Sequence, residues 1–151
     1  MILDARTMFS ASGDFANEIG TANVGDQIDL GVADADVGNG QPVYLVINVE
    51  TAADGGATAG ATVAFQVVSD GVATPATDGN QTIHFTTKPH VAGNLTAGAT
   101  FVYPLPVSGL AYERYLGLQL VTAVEGEDAL VASAHLTLDP HGWRAMPDGV
   151  N

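Results

Sequence analysis

Apolar and polar side chains alternate in short segments along the whole chain, and this alternation restricts the fold more than any other feature. From Val43 to Val49, every second residue is a valine, leucine or isoleucine. Successive side chains of a β-strand point to opposite faces of a sheet, so this period of two predicts a strand with one buried face. The same period recurs in segments 62–67, 82–86, 101–107, 116–120 and 130–138, and more weakly in segment 26–32.

Turn signals separate these segments. Glycine follows asparagine or aspartate at Asn39-Gly40, Asp54-Gly55, Asp70-Gly71 and Asp78-Gly79. Such pairs supply the positive φ angles that tight β-turns need. No segment combines a 3.6-residue apolar stripe with helix caps. Seven or eight short strands in 151 residues therefore predict a single all-β domain, an antiparallel β-sandwich or a small barrel.

Two local patterns predict details of the sheets. Pro104 and Pro106 lack N–H groups on one side of their strand, so that strand is expected at a sheet edge. In the last strand, Leu136 and Leu138 are expected to point inward, and His135 and Thr137 outward.

Composition excludes several classes of function. The chain has 17 acidic and 4 basic side chains, a formal net charge of -13 and no cysteine. Nucleic acids and anionic membranes bind clustered lysine and arginine, and the four cations here are scattered. The absence of cysteine excludes disulfides, thiolate nucleophiles and cysteine zinc sites. We therefore expect neither nucleic acid nor membrane as a partner.

Motifs for catalysis or cofactor binding are weak. The four histidines have no close metal-ligand spacing, and no serine lies in a G-x-S-x-G turn. Asp34, Asp36 and Asn39 gather three oxygen donors, but the glutamate that closes an EF-hand loop is absent, which favours a solvated turn. The sequence predicts no catalytic residue, cofactor or metal. A cupin-like enzyme stays open as an alternative, because distant histidines can converge in space.

Several short motifs resemble those of the Bbp16-type capsid cement proteins of tailed bacteriophages. The resemblance extends nearly end to end, although no family pattern is seen in Asp70–His90. It rests on Met1–Ala5, Phe9-Ser10, Ile28–Gly31, Asp36–Val46, Gly60–Val63, Leu105-Pro106, Arg114–Leu118, Leu136–Asp139, Trp143 and Pro147–Gly149.

This resemblance implies a jelly-roll sandwich that binds the outer surface of an icosahedral shell in the virion, after synthesis in the bacterial cytoplasm. The implied partner is the major capsid protein, whose neighbouring subunits such a protein stabilises without any enzymatic step. We expect a homodimer or homotrimer. A carbohydrate- or receptor-binding module of a virion is the alternative. It would require exposed aromatic platforms, and Trp143 is the only tryptophan.

The chain ends carry the candidate interface. We expect an N-terminal arm over residues 1–20, a β-domain over 21–138 and an irregular C-terminal tail over 139–151. Apolar residues of the arm have no obvious strand partner, and tryptophan and arginine are frequent at interface hot spots. The predicted interface residues are Ile2, Leu3, Met8, Phe9, Trp143, Arg144 and Met146.

Overall fold

A computed structural model of the chain describes residues 5–34, 37, 40–53, 60–106, 110–124 and 129–140. Nine strands lie in these ranges, together with two 3-10 turns at Ala5–Thr7 and Ala92–Asn94. The strands are β1 (Met8–Asp14), β2 (Gly20–Asp29), β3 (Tyr44–Thr51), β4 (Thr62–Asp70), β5 (Thr82–Thr86), β6 (His90–Val91), β7 (Thr100–Pro104), β8 (Tyr115–Ala123) and β9 (Val131–Thr137).

The strands form two antiparallel sheets that pack face to face as a sandwich, so the predicted fold class is confirmed. Sheet I has the order β1-β9-β3-β7, and sheet II has the order β2-β8-β4-β5, with the short β6 also paired to β4. Most connections carry the chain from one sheet to the other. The jelly-roll topology stays a prediction, and this repeated crossing between two four-stranded paths supports it.

The core lies between the sheets and is built from alternate positions of the strands. Leu45 and Ile47 of sheet I and Phe65 and Leu120 of sheet II are fully buried, at 0% exposure. Burying one such side chain stabilises the fold by roughly 1.5–3 kcal/mol. The period of two in the sequence therefore identified the inward-facing residues of the central strands.

The edge position of β7 confirms the interpretation of the prolines. Leu105, directly after β7, donates its N–H to the Val43 carbonyl at 2.7 Å. The backbone N–H and C=O groups of the odd-numbered residues therefore point toward β3, because these groups alternate in direction along a strand. Val102 and Pro104 then direct their backbone groups to the open side of the sheet. Proline has no N–H to offer there, which protects the edge from pairing with another strand.

The expectation that Met8 and Phe9, within the predicted arm of residues 1–20, have no strand partner is wrong. Strand β1 pairs with β9, and Met8 lies opposite His135. Phe9 is fully buried in the core. No local pattern indicates this pairing, because the partner strand β9 lies at the other end of the chain.

Two further strand predictions need correction. Strand β2 begins at Gly20, before the predicted segment 26–32, because its small and polar first residues pair with β8 without showing alternation. Leu138 does not point into the core and is 59% exposed, because β9 ends at Thr137.

Gly25 allows β2 to cross very close to β1. A Cβ atom at this position would lie only 2.3 Å from the carbonyl oxygen of Phe9, and the φ angle of Gly25 is +70°. Both features exclude an ordinary side chain. This contact closes the sandwich along the side formed by β1 and β2.

We expect Gly25→Ala to lower the free energy of unfolding by more than Gly79→Ala does. Gly79 also has a positive φ of +97°, but a Cβ there would meet nothing within 4 Å. The control therefore measures backbone strain alone, on the order of 1–3 kcal/mol. Urea denaturation measures both variants, and equal losses would show that the approach to Phe9 imposes no cost.

Candidate functional site

The connection between β4 and β5, residues 71–81, folds over the outer face of sheet II. Asn23 on β2 donates its side-chain N–H to the Pro75 carbonyl at 2.8 Å. A Cβ atom at Gly117 on β8 would lie 2.9 Å from the Pro75 ring. The glycine therefore lets the connection pack directly on the sheet.

Gln119 holds this connection in place from the middle of β8. Its side chain is fully buried. The Gln119 Nε2 group donates to the Ala76 carbonyl at 2.7 Å and to Asn23 Oδ1 at 2.9 Å, and Gln81 Nε2 donates to Gln119 Oε1 at 3.2 Å. A buried polar network whose members all have partners fixes one conformation of the segment that it joins.

We expect Gln119→Leu to destabilise the domain by roughly 1–3 kcal/mol or more, because Asn23, Ala76 and Gln81 each lose a buried partner. Gln27→Leu on β2 is the matched control, because Gln27 is exposed. Its effect should stay within about 0.5 kcal/mol. Thermal and urea unfolding measure the difference, and similar values for the two variants would contradict the network's role.

A second polar cluster forms at a bulge in β5. The register between β4 and β5 shifts between Val67 opposite Phe85 and Val68 opposite Ile83, which leaves His84 without a directly opposed residue. Bulges redirect side chains in this way and are frequent beside functional sites.

The redirected His84 side chain joins β4, β5 and the segment before β8. His84 Nε2 lies 2.7 Å from Ser69 Oγ, and the Glu113 N–H donates to the same oxygen at 2.9 Å. The Thr82 hydroxyl donates to Glu113 Oε1 at 2.7 Å. The His84 ring stacks on Tyr112, with 3.8 Å between ring centroids.

A serine, a histidine and a glutamate in proximity raise the question of nucleophilic catalysis. Ser69 is fully buried, however, and its hydroxyl oxygen already accepts a backbone N–H. A substrate therefore has no access to this oxygen in the structure. The arrangement instead links β4, β5 and the segment before β8 through hydrogen bonds. The sequence contained no signal for it, because only the β-bulge brings His84 to Ser69.

His90 closes the opposite side of the sandwich. Its Nε2 atom lies 2.7 Å from the Tyr103 hydroxyl of β7. The His90 ring also contacts Phe101, with 4.8 Å between centroids, and Phe85 of β5 packs against Tyr103 at 5.5 Å. These rings join the edge strands of the two sheets.

Of the outward-pointing residues of β9, His135 is the buried one. It points away from the core, as predicted, because its neighbours Ala134 and Leu136 belong to the core. Its side chain is nevertheless only 3% exposed, and its Nε2 atom has no hydrogen-bond partner.

Burial lowers the pKa of His84, His90 and His135, and for His84 the charge of Glu113 partly offsets it. A histidine whose folded-state pKa lies below its unfolded value destabilises the fold as the pH falls through that range. We expect the denaturant midpoint to fall between about pH 7 and pH 5.

His84→Gln should flatten this pH profile. The variant keeps all acidic residues, so the difference between the two profiles isolates the histidine. Asp29 does not interfere, because hydrogen bonds from Arg114 and from the Gly31 N–H lower its pKa to about 2. Parallel profiles for the variant and the original protein would contradict the prediction.

The described residues contain little support for a metal site or for a free cationic site. Among the described residues, no three histidine or acidic side chains come together in a way that could hold a metal ion. Asp36 and Asn39 of the candidate cation turn lie outside the described ranges. Arg114 is engaged in a bidentate ion pair with Asp29, with both bonds at 2.9 Å.

The predicted interface residues divide into two groups. Phe9 is buried within the domain, so it is not available to a partner. Met8 is half-buried in sheet I. Five others lie outside the described residues: Ile2, Leu3, Trp143, Arg144 and Met146.

These features define an antiparallel β-sandwich whose polar clusters fasten its own segments. None of the helical turns in the described ranges is long and apolar enough to cross a membrane. The sequence model of the Bbp16 family matches residues 16–131, and the chain therefore belongs to the Bbp16 family, whose name indicates a phage-related protein. The matched range includes residues 70–90, where short motifs gave no family pattern. No curated protein matches the sequence significantly.

Proposed function

We propose that this chain is a capsid cement protein that binds the outer surface of a phage shell and stabilises contacts between major capsid subunits. Membership in the Bbp16 family carries this proposal. The role requires no reaction, and the polar clusters described above are closed within the domain. In this proposal the protein acts in the virion, with the major capsid protein and further copies of itself as partners.

The position of the chain ends supports the proposal. Because Met8 lies opposite His135, the first and last strands are neighbours, and both chain ends leave the same end of the sandwich. Residues 1–4 and 141–151 can therefore act on one target surface. Several weak contacts on one rigid body reinforce each other through multivalency. In the proposal, Ile2, Leu3, Trp143, Arg144 and Met146 are contact residues in these segments.

Charge supports an outer position on the shell. A chain with a net charge of -13 is repelled by packaged DNA. Repulsion between copies also disfavours close packing on a shell, unless cations offset it at the contacts. Arg114 already pairs with Asp29, which makes Arg144 a candidate to pair with a partner's carboxylate.

Binding to shells tests the proposal directly. Purified protein is added to shells of its own phage that were assembled without it, followed by sedimentation and thermal disassembly. We expect it to sediment with the shells and to raise their disassembly temperature. Electron cryomicroscopy of the complex should show it on the outside.

Deletion of residues 1–4 should weaken shell binding while leaving the β-sheet circular dichroism spectrum unchanged. The deletion ends before β1, which begins at Met8, so the domain keeps its strands. Val72→Ser changes an exposed loop residue on sheet II and is the control. Failure of the unaltered protein to bind shells would overturn the proposal, and binding on a glycan array would then favour a carbohydrate-binding module.

A further inference from the structure

Two aspartate-glycine pairs lie at the connection that covers sheet II. Asp70-Gly71 stands where β4 ends and the connection begins, and Asp78-Gly79 lies shortly before β5. An aspartate that precedes glycine can isomerise, because glycine has no side chain to shield its backbone nitrogen from the neighbouring carboxyl group. Since glycine follows the aspartate in both pairs, a large difference in their reactivity must come from the fold.

The reaction consumes no reagent. The glycine nitrogen attacks the side-chain carboxyl carbon of the aspartate and loses its proton, and a succinimide ring forms as one water molecule leaves. Water then adds to one of the two ring carbonyl groups and opens the ring. Addition at the former main-chain carbonyl gives isoaspartate. In this product the main chain runs through the side chain and is longer by one methylene, whereas the mass of the protein is unchanged.

Both aspartates make the same local hydrogen bond. Asp70 Oδ1 accepts the Val72 N–H at 3.2 Å, and Asp78 Oδ1 accepts the Asn80 N–H at 3.2 Å. Each bond joins the side chain to the backbone two residues on, as in an Asx turn. The turn keeps the carboxyl group close to the glycine between the bonded residues. Local geometry therefore does not distinguish the two pairs.

Segments distant in sequence restrain Asp70. Its second carboxylate oxygen, Oδ2, accepts the Ala76 N–H at 2.9 Å, across the connection. Its backbone pairs with Tyr115 of β8. A Cβ atom at Gly71 would lie 3.5 Å from Glu113 Oε2, so this glycine is also close to another segment. Ring formation would have to break the bond to Ala76 and distort the end of β4.

Asp78 is bonded within its own turn. Apart from the Asn80 N–H, its two carboxylate oxygens accept hydrogen bonds from Asn80 Nδ2, each at 2.9 Å. The residue is exposed, so water can replace these bonds at little cost. A Cβ atom at Gly79 would meet nothing within 4 Å, which leaves room for the ring. The Asp78 carboxyl group can therefore turn toward the Gly79 nitrogen without disturbing either sheet.

We propose that Asp78-Gly79 is the site at which the folded protein isomerises to isoaspartate, and that the fold protects Asp70-Gly71. The modification takes place in the isolated protein, so it does not depend on the proposed function.

Isomerisation at this site affects how the connection is attached to β8. Gly79 donates its N–H to Gln81 Oε1 at 3.0 Å, and Gln81 Nε2 donates to Gln119 Oε1 at 3.2 Å. An added methylene between Asp78 and Gly79 displaces the donor of the first bond. Gln81 then loses a contact that orients it toward Gln119, and the connection is held less firmly on sheet II.

Ageing of the purified protein at neutral pH tests the proposal. The readout must resolve each site, because Asp54-Gly55 and Asp148-Gly149 lie outside the described residues. Endoproteinase Asp-N cleaves before aspartate but not before isoaspartate, so mass spectrometry of the digest reports each position separately. In the folded protein we expect isoaspartate to accumulate several-fold faster at position 78 than at position 70. In urea the two rates should become similar.

Three outcomes would overturn the proposal. The first is equal rates at the two positions in the folded protein. The second is a folded protein that forms no isoaspartate at position 78 while the sample in urea does. The third is a difference of the same size in urea, because the sequence rather than the fold would then cause it.

Asp78→Glu is the matched variant, because it keeps the charge but requires a larger and less favourable ring. We expect several-fold less modification at position 78 and an unchanged rate at position 70. On ageing, the urea midpoint of the unaltered protein should fall further than that of the variant. Equal changes in midpoint on ageing would overturn the predicted loosening of the connection.

Discussion

The burial of one face of each sheet against the other is the constraint on which the rest of this structure depends. Neither sheet can leave the inward faces of its strands in water, so the strands must keep the register that directs Leu45, Phe65 and Leu118 inward. The two open sides of the sandwich must then be closed. At the side formed by β1 and β2, the backbone at Gly25 packs closely against the Phe9 carbonyl and closes the sandwich. At the opposite side, the contact between His90 and Tyr103 closes it.

The predictable part of the fold is the part that rests on local pattern. Strands β3, β4 and β7 follow from alternation, and the edge position of β7 follows from Pro104. Strand β1 was misassigned because its partner β9 is distant in sequence, and pairing across such a distance leaves no local trace. The Ser69–His84 pair was missed for a similar reason. A register shift between β4 and β5 creates it, and no residue type in the sequence predicts such a shift.

The two outer faces of the sandwich differ in how they are occupied. Sheet II is covered by the connection between β4 and β5, which Gln119 holds through hydrogen bonds with Ala76 and Gln81. A third bond joins Gln119 to Asn23 on β2. The outer face of sheet I contains the buried His135, whose Nε2 atom has no such bond. Polar groups with partners fix a segment in place, whereas a buried polar group without a partner costs free energy because it has lost its hydrogen bonds to water.

The pairing of the first strand with the last has a consequence for synthesis on the ribosome. Strand β1 lies at the edge of sheet I and pairs there with β9 alone. It must wait for almost the whole domain to be translated before it acquires a partner. Until then Phe9 and the backbone of β1 stay unpaired in the nascent chain. The domain is therefore expected to complete its fold late in translation or after it, and slowly, because its strand pairs join residues far apart in sequence.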